Sequence, residues 1–341
     1  MQQGDAKFVS NWETAESVPE SYVYPPEKRP GNVVVPMAKA IPVIDLSICD
    51  RALLVRKILG ASKESGFFQI INHGVSKRVS EATMRIFKEF HAMSGPEKAK
   101  ECSKDPNRSC RVYTSSENYK KEQIHCWRDA LIFNCHPLEK YVHFWPQNPP
   151  KYREVVGAYC VAMRKLVLEI LELMSEGLGL GKGYLGGEMS ENPLLLVNHY
   201  PPCPNPSLTL GLSQHCDPSL ITILFQDVNG LQVLKDGQWI GVQPIDKAFV
   251  VNIGFVLQII TNGKLQAAEH RAVTNSKTSR QSLTYLVYPK DEATMEPAKC
   301  MINEANPPRY RSLNFKDFQR NYLPRAVDTK AVMQYIETNQ S

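Results

Sequence analysis

The residues best placed for chemistry sit in Gly211-Leu-Ser-Gln-His215-Cys-Asp217-Pro-Ser-Leu-Ile-Thr-Ile-Leu and, further on, in Glu269-His270-Arg271. In an extended chain the side chains at i and i+2 leave the same face. His215 and Asp217 therefore present an imidazole and a carboxylate side by side, with Cys216 turned away. Alone, such a pair is commonly a surface or strand-end feature; a further imidazole downstream changes its weight. Two imidazoles and one carboxylate form a facial ligand set suited to Fe(II), with three coordination positions left open. Arg280-Gln-Ser282 follows, again with i and i+2 on one face. A guanidinium fork beside a hydroxyl suits a carboxylate. The open positions and this clamp together imply a small carboxylate cosubstrate.

The elements that must position these groups are legible in outline. Residues 1–40 are polar and rich in proline, an extended arm expected to pack over a larger body. Ile41–Leu46 alternates as a short strand, Arg51–Ser65 has helical periodicity, Gly66–Ile71 reads as a strand, and Lys77–Ser94 as another helix. His73 sits in a turn, where a hydrogen bond to backbone is the expected role. Residues 95–125 are charged and weakly apolar and read as a solvated loop or a lid over a pocket; Cys126–Phe133 reads as a strand. Lys151–Leu178 is the longest helical pattern, with Val155, Tyr159, Met163, Leu166, Ile170 and Met174 three or four residues apart. The Gly181-x-Gly183-x-x-Gly186 that follows it is expected to end that helix, since a dinucleotide loop requires a strand before it.

From Leu194 onward short strands dominate: Leu194–Tyr200, Leu220–Gln226, Leu231–Lys235, Trp239–Val242, Ala248–Ile253 and Ser282–Tyr288. Turns such as Asn229-Gly230, Asp236-Gly237 and Asn262-Gly263 separate them. This spacing predicts a jelly-roll-like barrel or sandwich, with a helical tail over Phe315–Asn339 lying across its mouth. The fold class is mixed α/β, mainly β. Residues 1–190 form a helix-rich region that supplies early strands and the scaffold helix; residues 191–341 form the core and tail, and the two make one compact unit.

Bulk properties remove several alternatives. The 341 residues carry 40 basic and 35 acidic side chains, a net charge of +5, with no basic run interleaved with aromatics. Nucleic acid is therefore not an expected partner. No apolar run approaches the roughly 20 residues of a membrane helix, and Met1–Lys7 has no signal-peptide character. Nine cysteines lack any Cys-x-x-Cys pair, which argues against zinc ribbons and a disulfide framework. A cytoplasmic protein with reduced cysteines, and a monomer, is the expectation. The sequon Asn107-Arg-Ser109 has no consequence there.

His-x-Asp, a later His and Arg-x-Ser, in this order, resemble the Fe(II)/2-oxoglutarate-dependent dioxygenases of plant specialised metabolism. Further landmarks extend the resemblance over nearly the whole chain. They are Phe67-Phe-Gln-Ile-Ile-Asn-His-Gly74, Trp127-Arg-Asp129, Asn198-His-Tyr200-Pro-Pro-Cys-Pro204, Gly230-Leu-Gln232-Val, Val251-Asn-Ile-Gly254 and Pro297-Ala-Lys299. The N-terminal Phe8-Val-Ser-Asn-Trp12 and Ser17–Ser21 are similar to the hyoscyamine 6-dioxygenase-like subgroup. Lys140–Pro150 is similar to the downy-mildew-resistance 6-like subgroup, which includes salicylate hydroxylases and flavone synthases.

The resemblance implies a double-stranded β-helix core, Fe(II) held by His215, Asp217 and His270, and 2-oxoglutarate and O2 as cosubstrates, with ascorbate as reductant. It further implies that Arg280 and Ser282 clamp the distal carboxylate of 2-oxoglutarate, helped by Asn198 and Tyr200. Tyr113, Ile132, Phe255, Leu286 and Tyr322 are the candidate substrate contacts. Phe255 stands where many relatives carry Asp, which makes the pocket more apolar, and His199 replaces a frequent Tyr but alternates away from the site.

The expected function is hydroxylation, desaturation or ring closure of a small metabolite, an alkaloid or aromatic compound. A phenolic hydroxylase or flavone synthase is the neighbouring alternative. A non-catalytic small-molecule binder on the same fold is the alternative of another class, and a full set of ligands and clamp speaks against it.

Overall fold

The structure, a computed structural model, describes residues 8–12, 15–32, 35–36, 41–102, 109–117 and 119–338. Asn107 and Arg108, the first two residues of the sequon, lie outside that set, as do parts of the N-terminal arm.

The N-terminal half begins with β1 (Val43–Asp45), α1 (Arg51–Ser65), β2 (Phe67–Ile71) and α2 (Lys77–Ala92). Asp50 caps α1 by accepting from the Leu53 amide at 3.0 Å, and Gly66, at φ 62°, ends it and turns the chain straight into β2. Of the segment expected to be a loop or lid, 95–125, residues 103–108 and 118 lie outside the described set, and the described part holds regular structure. It contains α3 (Gly95–Glu101), started by a Ser94/Glu97 capping box, and an edge strand β3 (Cys110–Thr114). Then come β4 (Asp129–Asn134), a single helical turn α4 (Leu138–Tyr141) and α5 (Tyr152–Leu178). Gly179, at φ 70°, ends α5, while Gly181–Gly186 forms turns.

The C-terminal half supplies β5 (Leu194–Tyr200), β6 (Leu212–His215), β7 (Ile221–Gln226), β8 (Leu231–Lys235), β9 (Gln238–Gly241), β10 (Phe249–Ile253), α6 (Phe255–Ile260), β11 (His270–Ala272) and β12 (Arg280–Leu286). The tail, read as one helix, is two: α7 (Phe315–Tyr322) and α8 (Thr329–Ile336).

Eight strands form one sheet in the order β1-β2-β10-β7-β12-β5-β4-β3, and four form a second, β6-β11-β8-β9. Strands from both halves of the chain thus share the larger sheet. The chain is a double-stranded β-helix protein with a helical layer. One face of the large sheet carries Phe68, Ile70, Leu131, Phe133, Leu195, Val197, Ile221, Ile223, Val251, Ile253, Leu283 and Tyr285, all in a single buried cluster. α1, α2 and α5 pack together over it through Leu54, Ile58, Phe87, Phe90, Met163, Val167 and Ile170. Each such fully buried side chain contributes about 1.5–3 kcal/mol, so this face fixes the sheet. The opposite face is left for chemistry.

The arm packs as expected where it is described. The Asp129 carboxylate accepts from the Val9 and Ser10 amides at 3.0 and 2.9 Å. Trp12 and Tyr22 set their rings edge-on against Trp127. His73 meets its expected role, with Nε2 2.7 Å from the Lys247 carbonyl and its ring stacked on Phe249.

Candidate metal and cosubstrate site

Pairing of β6 with β11 sets His215 directly opposite His270. Their rings lie 4.2 Å apart. The Nδ1 of His215 meets the Ser213 carbonyl at 2.8 Å, and that of His270 the Ala268 carbonyl at 3.1 Å. These carbonyls can only accept, so each Nδ1 carries a proton and Nε2 is the nitrogen turned to the site. Both Nε2 atoms face Asp217 Oδ1, at 3.3 and 3.7 Å. The potential ligand atoms all lie within 4.8 Å of one another. Phe67 closes the side of His270 with an edge-on ring at 5.2 Å.

Asp217 reaches this position differently from the extended-strand expectation. β6 ends at His215, and Asp217 lies in the turn beyond it. That turn is tied down where the Phe255 amide donates to the Asp217 carbonyl at 2.8 Å and the Tyr322 hydroxyl to the Cys216 carbonyl at 2.7 Å. Cys216 points off the site as expected, its Sγ 3.7 Å from the Ala267 carbonyl and 3.9 Å from the Thr329 hydroxyl. The second Asp217 oxygen, Oδ2, accepts from Thr222 Oγ1 at 2.6 Å and Asn252 Nδ2 at 2.8 Å. Burial works to raise this carboxyl, but the imidazoles and the Asn252 hydrogen bond overcome it and hold it well below the usual carboxylate range. Burial, reinforced by His215, pushes His270 down to about 4. At neutral pH Asp217 is thus a carboxylate and His270 a neutral imidazole, as binding of a divalent ion requires.

The clamp residues meet on the chemistry face of the large sheet. Register pairs Arg280 with Tyr200 and Ser282 with Asn198 across β12 and β5, and Ser282 with Gln226 across β12 and β7. Arg280 donates from Nη2 to Gln226 Oε1 at 2.9 Å and lies over the Tyr200 ring at 4.8 Å. Its Nη1 and the Ser282 hydroxyl are buried without a partner among the described residues. Two orphaned donors side by side are what a carboxylate from outside the chain would satisfy. Two glycines keep the space open. A Cβ on Gly230, at φ 151°, would lie 2.6 Å from Arg280 Cδ, and one on Gly211 would lie 2.5 Å from Tyr200 Cδ1. The donor set and the cradle both fit Fe(II) and a dicarboxylate.

The substrate candidates divide into two groups. Tyr113 pairs with Ala130 and Ala130 with Asn198, so Tyr113, Ile132 and Leu286 share the face of Asn198 and Ser282 by strand alternation. Phe255 and Tyr322 come instead from α6 and α7 behind the Asp217 turn. They pack on one another and on Phe318 at 5.9–6.4 Å, with Phe255 1% exposed. His199 faces the helical layer and stacks on His91, 5.0 Å between centroids.

Thr222, Asn252, Gln226 and Arg128 escaped the sequence reading. For Thr222, Asn252 and Gln226 the signal was a polar residue inside an apolar strand, as in Phe249-Val-Val-Asn-Ile253, while Asn252 and Arg128 stand without an assigned role in the landmarks Val251-Asn-Ile-Gly254 and Trp127-Arg-Asp129. The surface hollows near Arg311 and Tyr335, about 470 Å³, and near Pro30 and Thr274, about 320 Å³, are lined by no residue of the triad or clamp.

A double-stranded β-helix carrying a 2-His-1-carboxylate set and an Arg/Ser cradle defines a non-haem Fe(II) oxygenase of the keto-acid-dependent class. Comparison with known proteins agrees. Residues 191–289 match the 2OG-Fe(II) oxygenase superfamily, and residues 41–148 match the non-haem dioxygenase in morphine synthesis N-terminal family. The chain is 43% identical to hyoscyamine 6-dioxygenase of Hyoscyamus niger over 334 residues, covering 95% of this chain and 96% of that one. It is 41% identical to protein DOWNY MILDEW RESISTANCE 6 of Arabidopsis thaliana over 342 residues, covering 98% and 99%. A crystal structure of JOX2 in complex with 2OG, Fe and JA superposes with a TM-score of 0.85 at 31% identity, covering 97% of this chain and 98% of that one. The chain belongs to the 2OG-Fe(II) oxygenase superfamily and is a 2-oxoglutarate-dependent dioxygenase. Among the described residues no helix is long and apolar enough to cross a membrane.

Proposed function

We propose that this enzyme hydroxylates, or by a second hydrogen abstraction desaturates or cyclises, a small aromatic or alkaloid specialised metabolite. His215, Asp217 and His270 would hold the iron, and Arg280 and Ser282 the distal carboxylate of 2-oxoglutarate. The observation that carries the reading is the convergence of Nε2, Nε2 and Oδ1, together with the orphaned Arg280 Nη1 and Ser282 Oγ. Relatives named for hyoscyamine and for flavanone (rice flavanone 3-dioxygenase 2, 39% identical over 326 residues) favour a compact ring-containing substrate.

When bound, Fe(II) would activate O2, the oxidant, with 2-oxoglutarate as the co-reductant that leaves as succinate and CO2. The chain's own task is placement. The Ser213 and Ala268 carbonyls fix the imidazole tautomers, and Thr222 and Asn252 keep Asp217 Oδ2 occupied so that Oδ1 faces the metal. Arg280, over the Tyr200 ring, orients the cosubstrate from its far end. Tyr113, Ile132 and Leu286 line the face over which the substrate would lie, and their bulk keeps water from the reacting centre.

Residues 1–190 and 191–341 act as one unit in this reading, a monomer working in the cytoplasm. The larger sheet, built from both halves, and the free cysteines support it. Light scattering would check the oligomeric state. The decisive experiment is succinate release without added substrate: Fe(II)-dependent release supports a catalyst, and none above background, even with a panel of alkaloids, flavanones and phenolic acids, refutes it.

A further inference from the structure

Arg128 precedes β4 by one residue and has the parity of Ala130, so it projects on the chemistry face beside Asn198. It is 6% exposed. Nη1 donates to Asn198 Oδ1 at 2.6 Å and Nε to the Ser115 carbonyl at 2.9 Å. Nη2 has no acceptor, and the guanidinium no carboxylate within ion-pair range, among the described residues. Burial works against its charge, while the Tyr113 and Tyr200 hydroxyls, the Cys126 thiol and Glu122 sustain it. Glu122 is already engaged, accepting from the Ser115 hydroxyl at 2.6 Å with His125 Nδ1 at 3.0 Å. Besides Arg280, this face carries the Arg111 guanidinium, which is matched by Glu117 at 2.9 Å.

A buried charge without a counter-charge is unfavourable unless something arrives to meet it. On the proposed function, a divalent ion, the Asp217 carboxylate, Arg280 and a dianionic keto acid cancel one another. Arg128 remains without an ion-pair partner among the described residues, since the nearby Glu122 is turned to Ser115 and His125. We infer that Arg128 is a second carboxylate-binding guanidinium of the barrel and that the organic substrate carries the carboxylate it takes. Asn198 and Ser115 hold the fork by two of its nitrogens and leave the third for the ligand, which makes the site selective for a planar anion over its neutral analogue. The inference rests on the functional reading above for the source of the ligand, but not for its chemistry.

The test uses the full chain, anaerobic, with Fe(II) and saturating 2-oxoglutarate so that Arg280 is occupied. Benzoate and its uncharged isostere benzamide are titrated by calorimetry, and the metal-to-keto-acid absorbance reports independently whether the cosubstrate site is formed. The wild type should prefer benzoate by at least about tenfold, the scale of one charge-assisted hydrogen bond. Arg128→Gln should erase that preference while leaving 2-oxoglutarate affinity within a few-fold, and Arg128→Lys should retain part of it. Benzoate binding no better than benzamide in the wild type overturns the inference, and so does a preference that survives in Arg128→Gln. A loss confined to 2-oxoglutarate also overturns it, because Arg128 would then act on the cosubstrate through Asn198. Absence of the absorbance band in the wild type would sink the functional reading instead.

Discussion

Asn252→Leu keeps the number and branching of the side-chain heavy atoms and removes one of the two donors on Asp217 Oδ2. The deleted bond is 2.8 Å long and joins side chains 3% and 6% exposed, so it belongs with hydrogen bonds to charged groups, about 1.5–3 kcal/mol. That energy is present with and without metal, and most of it should appear as lost stability of the apoprotein. The effect on metal affinity is the part that differs between the two states. Held only by Thr222, the carboxylate regains some freedom that a metal must remove, about 0.5–1.5 kcal/mol for one side chain, or roughly two- to twelvefold. The weakened alignment of Oδ1 adds to this, and residues behind metal ligands typically change affinity about 10–100-fold. Anaerobic calorimetry with Co(II), which needs no turnover, should therefore give a dissociation constant raised about tenfold. Thr222→Val combined with Asn252→Leu should exceed the product of the single effects, since only then is Oδ2 free to swap places with Oδ1. A single-variant constant within twofold of wild type, in a protein that still melts cooperatively, would refute the idea that these donors preset the carboxylate.

Loss of a ligand should be harsher: His215→Ala and His270→Ala are expected to abolish succinate release while the circular dichroism stays native, and wild-type rates at limiting iron would contradict the metal assignment. Gly230→Ala places a Cβ 2.6 Å from Arg280 Cδ in a backbone conformation unfavourable to a side chain; 2-oxoglutarate affinity should fall about tenfold or more, with Co(II) affinity little changed, and an unaltered cosubstrate titration would show that the clamp can move. Burial, with His199 and Lys98 close by, pushes His91 well below its ordinary value, and neither ring nitrogen has a hydrogen-bond partner among the described residues. The folded state keeps His91 neutral, so the unfolded chain takes up the proton first and stability falls as pH drops below about 6.5. His91→Leu should flatten the fall in urea midpoint between about pH 7 and 5 by up to about 1.4 kcal/mol per pH unit, and an unchanged slope would assign it to other groups.

How legible each part was in the sequence follows from where its information lies. The long helix α5 and the strands β5, β8 and β12 declare themselves by local periodicity. The triad and clamp are short motifs whose members lie two residues apart, and β12 does put Arg280 and Ser282 on one face as strand alternation requires. Asp217 shows the limit of that argument. Its carboxylate converges on the histidines because a turn is anchored by Phe255 and Tyr322, neither of which is near it in sequence. Phe255 was read as substrate wall from its position after Gly254, yet its backbone amide and ring hold the ligand turn from behind.

What stayed hidden has a common physical cause. β12 is buried along its whole length, with apolar Leu283 and Tyr285 toward the helices and polar Arg280, Ser282 and Thr284 toward the site. In an exposed sheet the polar face meets water, and alternation is read as inside against outside. Here both faces are inside, so the polar residues mark the chemistry. The same rule explains Thr222 in β7, Asn252 in β10 and Gln226 at the end of β7, each a polar side chain among apolar neighbours. Their partners, however, lie far off in sequence, 35 residues for Asn252 and Asp217 and 54 for Gln226 and Arg280. The edge strand β3 was missed for the converse reason: Arg111 and Tyr113 give it a polar inner face, and the charged segment around it masks Cys110 and Val112 on the other. A polar side chain buried in a strand must find a partner or a ligand, and on this face the donors left over among the described residues, which include Arg280 Nη1, the Ser282 and Thr284 hydroxyls and Arg128 Nη2, trace where the small molecules would bind.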